Sequence, residues 1–319
     1  MNSEGKLSTS VWYMRFFAVV AIICAHTPYA KDTLAPEFVI RFIDSFSNSG
    51  VAIFFFVSGI YYRSCGIKNR VQKLFSLVIP WVLFGSITYI IGNLQNSSIY
   101  TYIKWILGFG SYLWFMVVYV VILLLAEIIG LEKRIVLQYV LLVITIASRV
   151  LVSVVETKAE FAFVNPLNWV GFFTFGLIFS DLMKNKPRNP QSLKLMFLCT
   201  LLIISLLVVD ICLESKLGYF GITSVFSQFL WIFLIMSISY FLSDFKTIFV
   251  RVGKNSLPIY LIHVSIVQFI CNRIPNSVYI YLPLSVLFAL FIWSLCFLGM
   301  RLAEKIKLRK LFCTLTGFK

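Results

Sequence analysis

The chain has 319 residues, of which 60% are hydrophobic and only 13% charged, with a mean hydropathy of +0.92. A soluble domain cannot hide that much apolar surface, so part of the solvent is lipid. The net charge of +15 would point to nucleic acid in a soluble protein; here it reads as the Lys and Arg excess of cytoplasmic membrane loops, and no nucleic-acid partner is expected. Seven cysteines form no CxxC pair and sit mostly in apolar runs, so they read as small buried hydrophobes and neither a disulfide framework nor a metal site is expected.

Apolar runs fall at 11–29, 50–66, 74–92, 113–130, 135–153, 167–182, 193–213, 223–243, 256–272 and 278–300. Most approach the ~20 residues needed to cross the hydrocarbon core as a helix. The pattern predicts an all-α, polytopic membrane protein of about ten transmembrane helices. Membrane lipids are its surroundings. No repeat, low-complexity tract or appended soluble domain is visible, so residues 1–319 read as one membrane domain. A cleaved signal peptide is not expected, because no small-residue site follows the first run.

Loop charge sets the orientation. Connections after the second, fourth, sixth and eighth runs carry thirteen Lys and Arg, including Arg63, Arg70, Lys73, Lys186, Arg188 and Lys246. The alternate connections carry six, and the tail from Arg301 adds six more. Both termini are therefore expected in the cytoplasm. Two segments, EFVIRFIDSFSN (37–48) and IYTYIKWILGFGSY (99–112), are amphipathic or aromatic and read as short helices in the outer interface.

In RFFAVVAIICAH, Arg15 and His26 lie eleven positions apart. At ~100° per residue they share one helix face, about 16 Å apart along the axis. A face with two ionisable groups should point into the bundle, although a snorkelling Arg15 and an interfacial His26 are the plain alternatives. Imidazole can take a proton from a hydroxyl, and burial would keep it neutral and basic. In GKNSLPIYLIH, Ser256, Tyr260 and His263 follow i, i+4, i+7 spacing and line one face; the stripe either borders a cavity or joins helices. Ser58-Gly59 sits mid-membrane, where Gly permits close helix packing and nothing marks Ser58 as a nucleophile. Arg63, Lys68, Arg70 and Lys73 form one basic connection, explained by topology and also suited to phosphates. The acidic groups Glu127, Glu156, Asp181, Asp210 and Glu214 form no ladder through the spans, and no Walker, GxGxxG or zinc motif appears.

Taken together, these motifs resemble the acyltransferase family 3 proteins, bacterial multispan O-acyltransferases of cell-surface glycans. Arg15-x10-His26 matches the first-helix motif, and FFFVSG (54–59) matches the second-helix pattern. RVQKLFSLVIPW (70–81), GFGSYLWFM (108–116) and GKNSLPIYLIH (253–263) follow in the family's order. One departure is Trp12, where the family often has an acid three positions before the Arg. Relatives with a fused outer domain also exist, and no such domain is seen here.

The resemblance implies transfer of an acetyl group from cytoplasmic acetyl-CoA to a hydroxyl of a polysaccharide, such as O-antigen or capsule, or of its lipid-linked precursor. It implies a place in the bacterial inner membrane and no permanently bound cofactor or metal. His26 would be the catalytic base, with Arg15 assisting the donor. Arg63, Arg70 and Lys73 would grip the coenzyme's phosphates, Trp114 and Phe115 would stack on a sugar, and Ser58, Ser256, Tyr260 and His263 would line the substrate path. The rival reading, a glycan or lipid flippase without acyl chemistry, predicts inverted-repeat halves with paired broken helices, which are not seen. In a scaffolding protein the two histidines would be incidental.

Overall fold

The computed structural model describes residues 3–92, 98–155, 158–185, 193–245 and 247–318. Glu156, Lys186, Arg188 and Lys246 lie outside the described residues. Among the described residues there are helices and no strands. Seven helices among the described residues are long and apolar enough to cross a membrane. They are α1 (Ser3–Ala25), α2 (Glu37–Tyr61), α3 (Ile67–Gly92), α6 (Ile135–Val155), α9 (Leu193–Cys212), α10 (Ser224–Leu242) and α13 (Val278–Lys305). Three shorter apolar helices are α5 (Trp114–Ile128), α8 (Val170–Asn185) and α12 (Ser256–Cys271). At 1.5 Å per residue, a helix the length of α12 rises only about 24 Å, less than the ~30 Å hydrocarbon core. Each of the ten apolar runs falls on one of these helices. Among the described residues there are also four short α-helices, α4 (Ile99–Ile106), α7 (Ala159–Val164), α11 (Ile248–Lys254) and α14 (Arg309–Thr316), and three single 3-10 turns.

α1 and α2 form the centre of the bundle. Val11, Ala18, Ala21 and Cys24 of α1 and Ala52, Ile53, Phe55, Phe56 and Val57 of α2 are fully buried. α6 and α9 are peripheral and present mostly apolar side chains outward, as a lipid-facing helix must. α2 and α8 cross at Gly59 and Gly176. A Cβ on Gly59 would lie 2.0 Å from the Phe173 carbonyl oxygen, and one on Gly176 2.1 Å from that of Phe56. Gly59, expected mid-membrane, stands instead in the last turn of α2, because that helix begins already at Glu37, and it serves backbone contact between two helices.

The segment 37–48 departs from the sequence expectation. It is no separate interfacial helix but the first half of α2, which begins after Pro36 and runs unbroken to Tyr61. Its polar residues Arg41, Asp44, Ser45, Ser47 and Asn48 are buried against protein. The Tyr29 hydroxyl donates to Asp44 (2.6 Å), and the Trp231 indole donates to Ser45 Oγ (2.9 Å). Hydropathy ends a span where such residues begin, but internal partners let the helix continue. The second expected short helix does form, as α4, with a capping box between Ser98 and Thr101.

Candidate functional site

α1 ends at Ala25, and His26 follows in the turn that leads to Pro28, its N–H bonded to the Ile23 carbonyl. Arg15 and His26 thus stand at two levels of one buried helix, and each borders a different cavity. A cavity of about 90 Å³ is lined by Arg15, Ser58, Phe115, Ser256, Tyr260 and neighbouring apolar side chains. A larger one, about 330 Å³, is lined by His26, Tyr112, Trp114, Glu160, Phe163, Tyr219 and Tyr260 among others. Tyr260 borders both. Its hydroxyl donates to the Tyr112 carbonyl, and the Tyr112 hydroxyl donates back to the Leu261 carbonyl (2.8 Å). This reciprocal pair clasps α12 to the segment before α5.

The polar stripe of α12 therefore borders the cavities only through Ser256 and Tyr260; His263, expected on the substrate path, lines neither cavity because it is fully buried between helices. Ser256 lies on the Arg15 side, Tyr260 lines both cavities, and His263 lies beside His26, with ring centroids 5.0 Å apart. Ser58 lines the smaller cavity, its hydroxyl donating to the Phe54 carbonyl (2.7 Å).

Trp12 takes the place of a carboxylate beside Arg15. The Arg15 guanidinium carbon lies 5.1 Å from the centre of the Trp12 ring, and Lys254 Nζ lies 5.9 Å from the same ring. Residues three apart on a helix are neighbours, so the ring can hold the cation over its face. α11 seats the arrangement: a Cβ on Gly253 would lie 1.9 Å from the Trp12 carbonyl oxygen. Arg15 Nε is buried without a hydrogen-bond partner, and among the described residues no carboxylate pairs with Arg15.

Two sequence expectations change place. Phe115 borders the Arg15 cavity, not the one that holds His26 and Trp114, because successive residues at the start of α5 point to different sides of the helix. The basic connection after α2 borders neither cavity. Arg70 is buried and committed to Glu127: its Nε donates to Oε2 at 3.0 Å, its Nη2 lies 3.0 Å from the same oxygen, and Nη2 also donates to the Arg63 carbonyl. The Tyr62 hydroxyl, the Ser64 hydroxyl and the Cys65 and Gly66 amides donate to the same carboxylate. Arg70 thus folds the α2–α3 turn and is not free to grip a phosphate. Arg63 and Lys73 remain exposed.

Other residues of the region went unnoticed in the sequence. Arg149, in the middle of α6, is 2% exposed and lies between the Trp169 and Phe220 rings, 4.9 and 4.7 Å from their centres. It donates to the Tyr219 carbonyl, to Ser224 Oγ (3.3 Å) and to Gln228 Oε1 (3.2 Å). Asp44 accepts from the Gly218 amide (3.0 Å), and Arg41 donates to the Ser215 carbonyl (2.9 Å). Together they fasten the 213–223 loop, which brings Tyr219 to the wall of the His26 cavity. A lone Arg inside an apolar run was the available signal. Phe163 and Glu160 reach the cavity from α7, a helix too short for periodicity to reveal.

The fold and site together define a helical membrane protein in which the cavity beside Arg15 and the cavity beside His26 share one wall residue, Tyr260. A family model described as an acyltransferase domain matches residues 9–299, nearly the whole chain, and the protein belongs to that family, acyltransferase family 3. No curated protein and no solved structure gives a significant match.

Proposed function

We propose that this protein is an O-acetyltransferase of the bacterial inner membrane, with ten spans and both termini cytoplasmic. It moves an acetyl group from cytoplasmic acetyl-CoA to a hydroxyl of a surface polysaccharide or its lipid-linked precursor. The donor enters on the Arg15 side, where Arg15 and the exposed Arg63 and Lys73 favour its anionic end. Its thioester reaches past Tyr260 toward His26. The acceptor occupies the larger cavity, where Trp114, Phe163 and Tyr219 offer flat apolar faces to sugar C–H groups.

His26 takes the proton of the acceptor hydroxyl as its oxygen attacks the thioester carbonyl carbon. The C–O bond forms, the C–S bond breaks, and the proton passes to the departing thiolate. The apolar walls exclude water, which limits hydrolysis of the donor. The observation that carries this reading is the placement of Arg15 and His26 on two cavities that share Tyr260 in their walls, one at each level of the bundle.

The test is mass spectrometry of surface glycans from cells that express the wild-type protein or a normally inserted His26→Ala variant. The wild type should add one acetyl mass to a specific sugar, and the variant should lose that gain by at least about a hundredfold, the usual worth of a general base. Undiminished acetylation in the variant would refute the assignment of His26.

A further inference from the structure

The chain contains two histidines, one at the end of α1 and one in the middle of α12, and the fold brings them together. Their ring centroids are 5.0 Å apart, with the planes inclined by 58°. His263 is fully buried, and its Nδ1 lies 2.5 Å from the Tyr260 carbonyl oxygen. A carbonyl oxygen only accepts, so Nδ1 carries the hydrogen and Nε2 carries the lone pair. Nε2 is buried and meets no hydrogen-bond partner among the described residues. An unmet buried acceptor is costly, so its persistence asks for a reason. His26 is the titratable ring beside it. An N–H···N bond of about 3 Å places the centroids of two such rings roughly 5 Å apart, so a small turn of the rings closes the bond.

We propose that His263 is a positioning residue for His26. Its Nε2 accepts a hydrogen bond from one ring N–H of His26, which leaves the other nitrogen of His26 facing the larger cavity. When His26 holds the acceptor's proton, the same bond stabilises the imidazolium. His263 keeps its own proton throughout, because Nδ1 remains bonded to the Tyr260 carbonyl. The role parallels that of the carboxylate behind the histidine of a hydrolase triad, but it uses a neutral acceptor. A neutral group suits this depth, where an uncompensated buried anion would be expensive. Tyr260 couples this pair to both cavities, since its carbonyl sets the His263 tautomer while its side chain forms part of each cavity wall.

The inference rests on the acyltransferase reading. It is tested with membranes that contain the full chain, supplied with radiolabelled acetyl-CoA, by counting label in their own glycan fraction. His263→Phe should lower the maximal rate about ten- to a hundredfold, the worth of one hydrogen bond to a charged group, while donor KM stays unchanged. His263→Gln, which places an acceptor oxygen near the position of Nε2, should recover part of the rate. His263→Asn, which retains only the donor toward Tyr260, should not. In a His26→Ala background His263→Phe should cause no further loss, whereas damage to packing would lower that residual rate as well.

If His263→Phe does not insert, the contrast between Gln and Asn carries the test. A rate within twofold of wild type for His263→Phe or His263→Asn overturns the proposal, as does an equal loss in the His26→Ala background. Wild-type membranes that transfer no label overturn the acyltransferase reading and this inference together. Active wild type with an indifferent His263 overturns this inference alone.

Discussion

Replacing Glu127 with Gln tests how the connection between α2 and α3 is built. The Glu127 carboxylate accepts from the hydroxyls of Tyr62 and Ser64, the amides of Cys65 and Gly66, and the Arg70 guanidinium. Its side chain is 3% exposed and that of Arg70 is 10% exposed. At 3.0 Å the pair attracts with about 5–6 kcal/mol if the effective dielectric constant is ~20. Desolvation of both groups offsets part of that. Gln keeps the shape but removes the charge, and it turns an NH2 group toward donors that need an acceptor.

We expect a stability loss of about 3 kcal/mol, the lower end for a broken buried pair, because five donors share the carboxylate and some would find water. The assay is reversible unfolding in mixed detergent micelles. Arg70→Met should cost a similar amount. The double variant should lose less than the sum of the singles by at least about 1 kcal/mol, because it leaves no buried charge uncompensated. The folded Arg70→Met protein should keep the wild-type donor KM. Additive losses, or a Glu127→Gln variant as stable as wild type, would refute this reasoning. A raised donor KM in Arg70→Met would return Arg70 to the donor site.

Two further outcomes follow from single contacts. Trp12→Ala removes the ring under Arg15 and Lys254; a cation–π contact of about 0.5–1.5 kcal/mol predicts a donor KM raised roughly two- to tenfold with kcat nearly unchanged. Trp12→Asp, which introduces a carboxylate three residues before Arg15, should recover affinity, and an unaltered KM in Trp12→Ala would exclude the ring from the donor site. Asp32, between α1 and α2, accepts from the amide of Val278 at the start of α13 (2.9 Å) and from that of Leu34 (3.1 Å), and these bonds hold its carboxyl below the usual carboxylate range. A depressed carboxyl stabilises the fold above its unfolded value, near pH 4, and loses that contribution as pH falls through the lower folded value. Asp32→Asn should therefore melt below wild type at pH 7, with the gap closing as the pH approaches ~3; a gap independent of pH would contradict the assignment.

Much of this was legible in the sequence because lipid imposes a simple rule. A segment that crosses hydrocarbon must satisfy its backbone internally and carry apolar side chains, so each of the ten apolar runs lies on a helix. The shared face of Arg15 and His26 also follows from spacing alone, since helical geometry fixes angle and rise. The stripe of Ser256, Tyr260 and His263 was readable for the same reason.

What the sequence did not determine depends on contacts between distant segments. The first half of α2 reads as a separate helix in the outer interface until its partners around Tyr29, Trp231 and Gly218 are in place. Arg70 reads as a free cation until Glu127, 57 residues away, closes on it. Arg149 and the 213–223 loop become neighbours only when α6 packs beside α10. The sharing of Tyr260 by the two cavities, and the meeting of the two histidines, exist only because α1 and α12 are adjacent. Periodicity sets which residues share a face of one helix, and packing alone decides what that face meets.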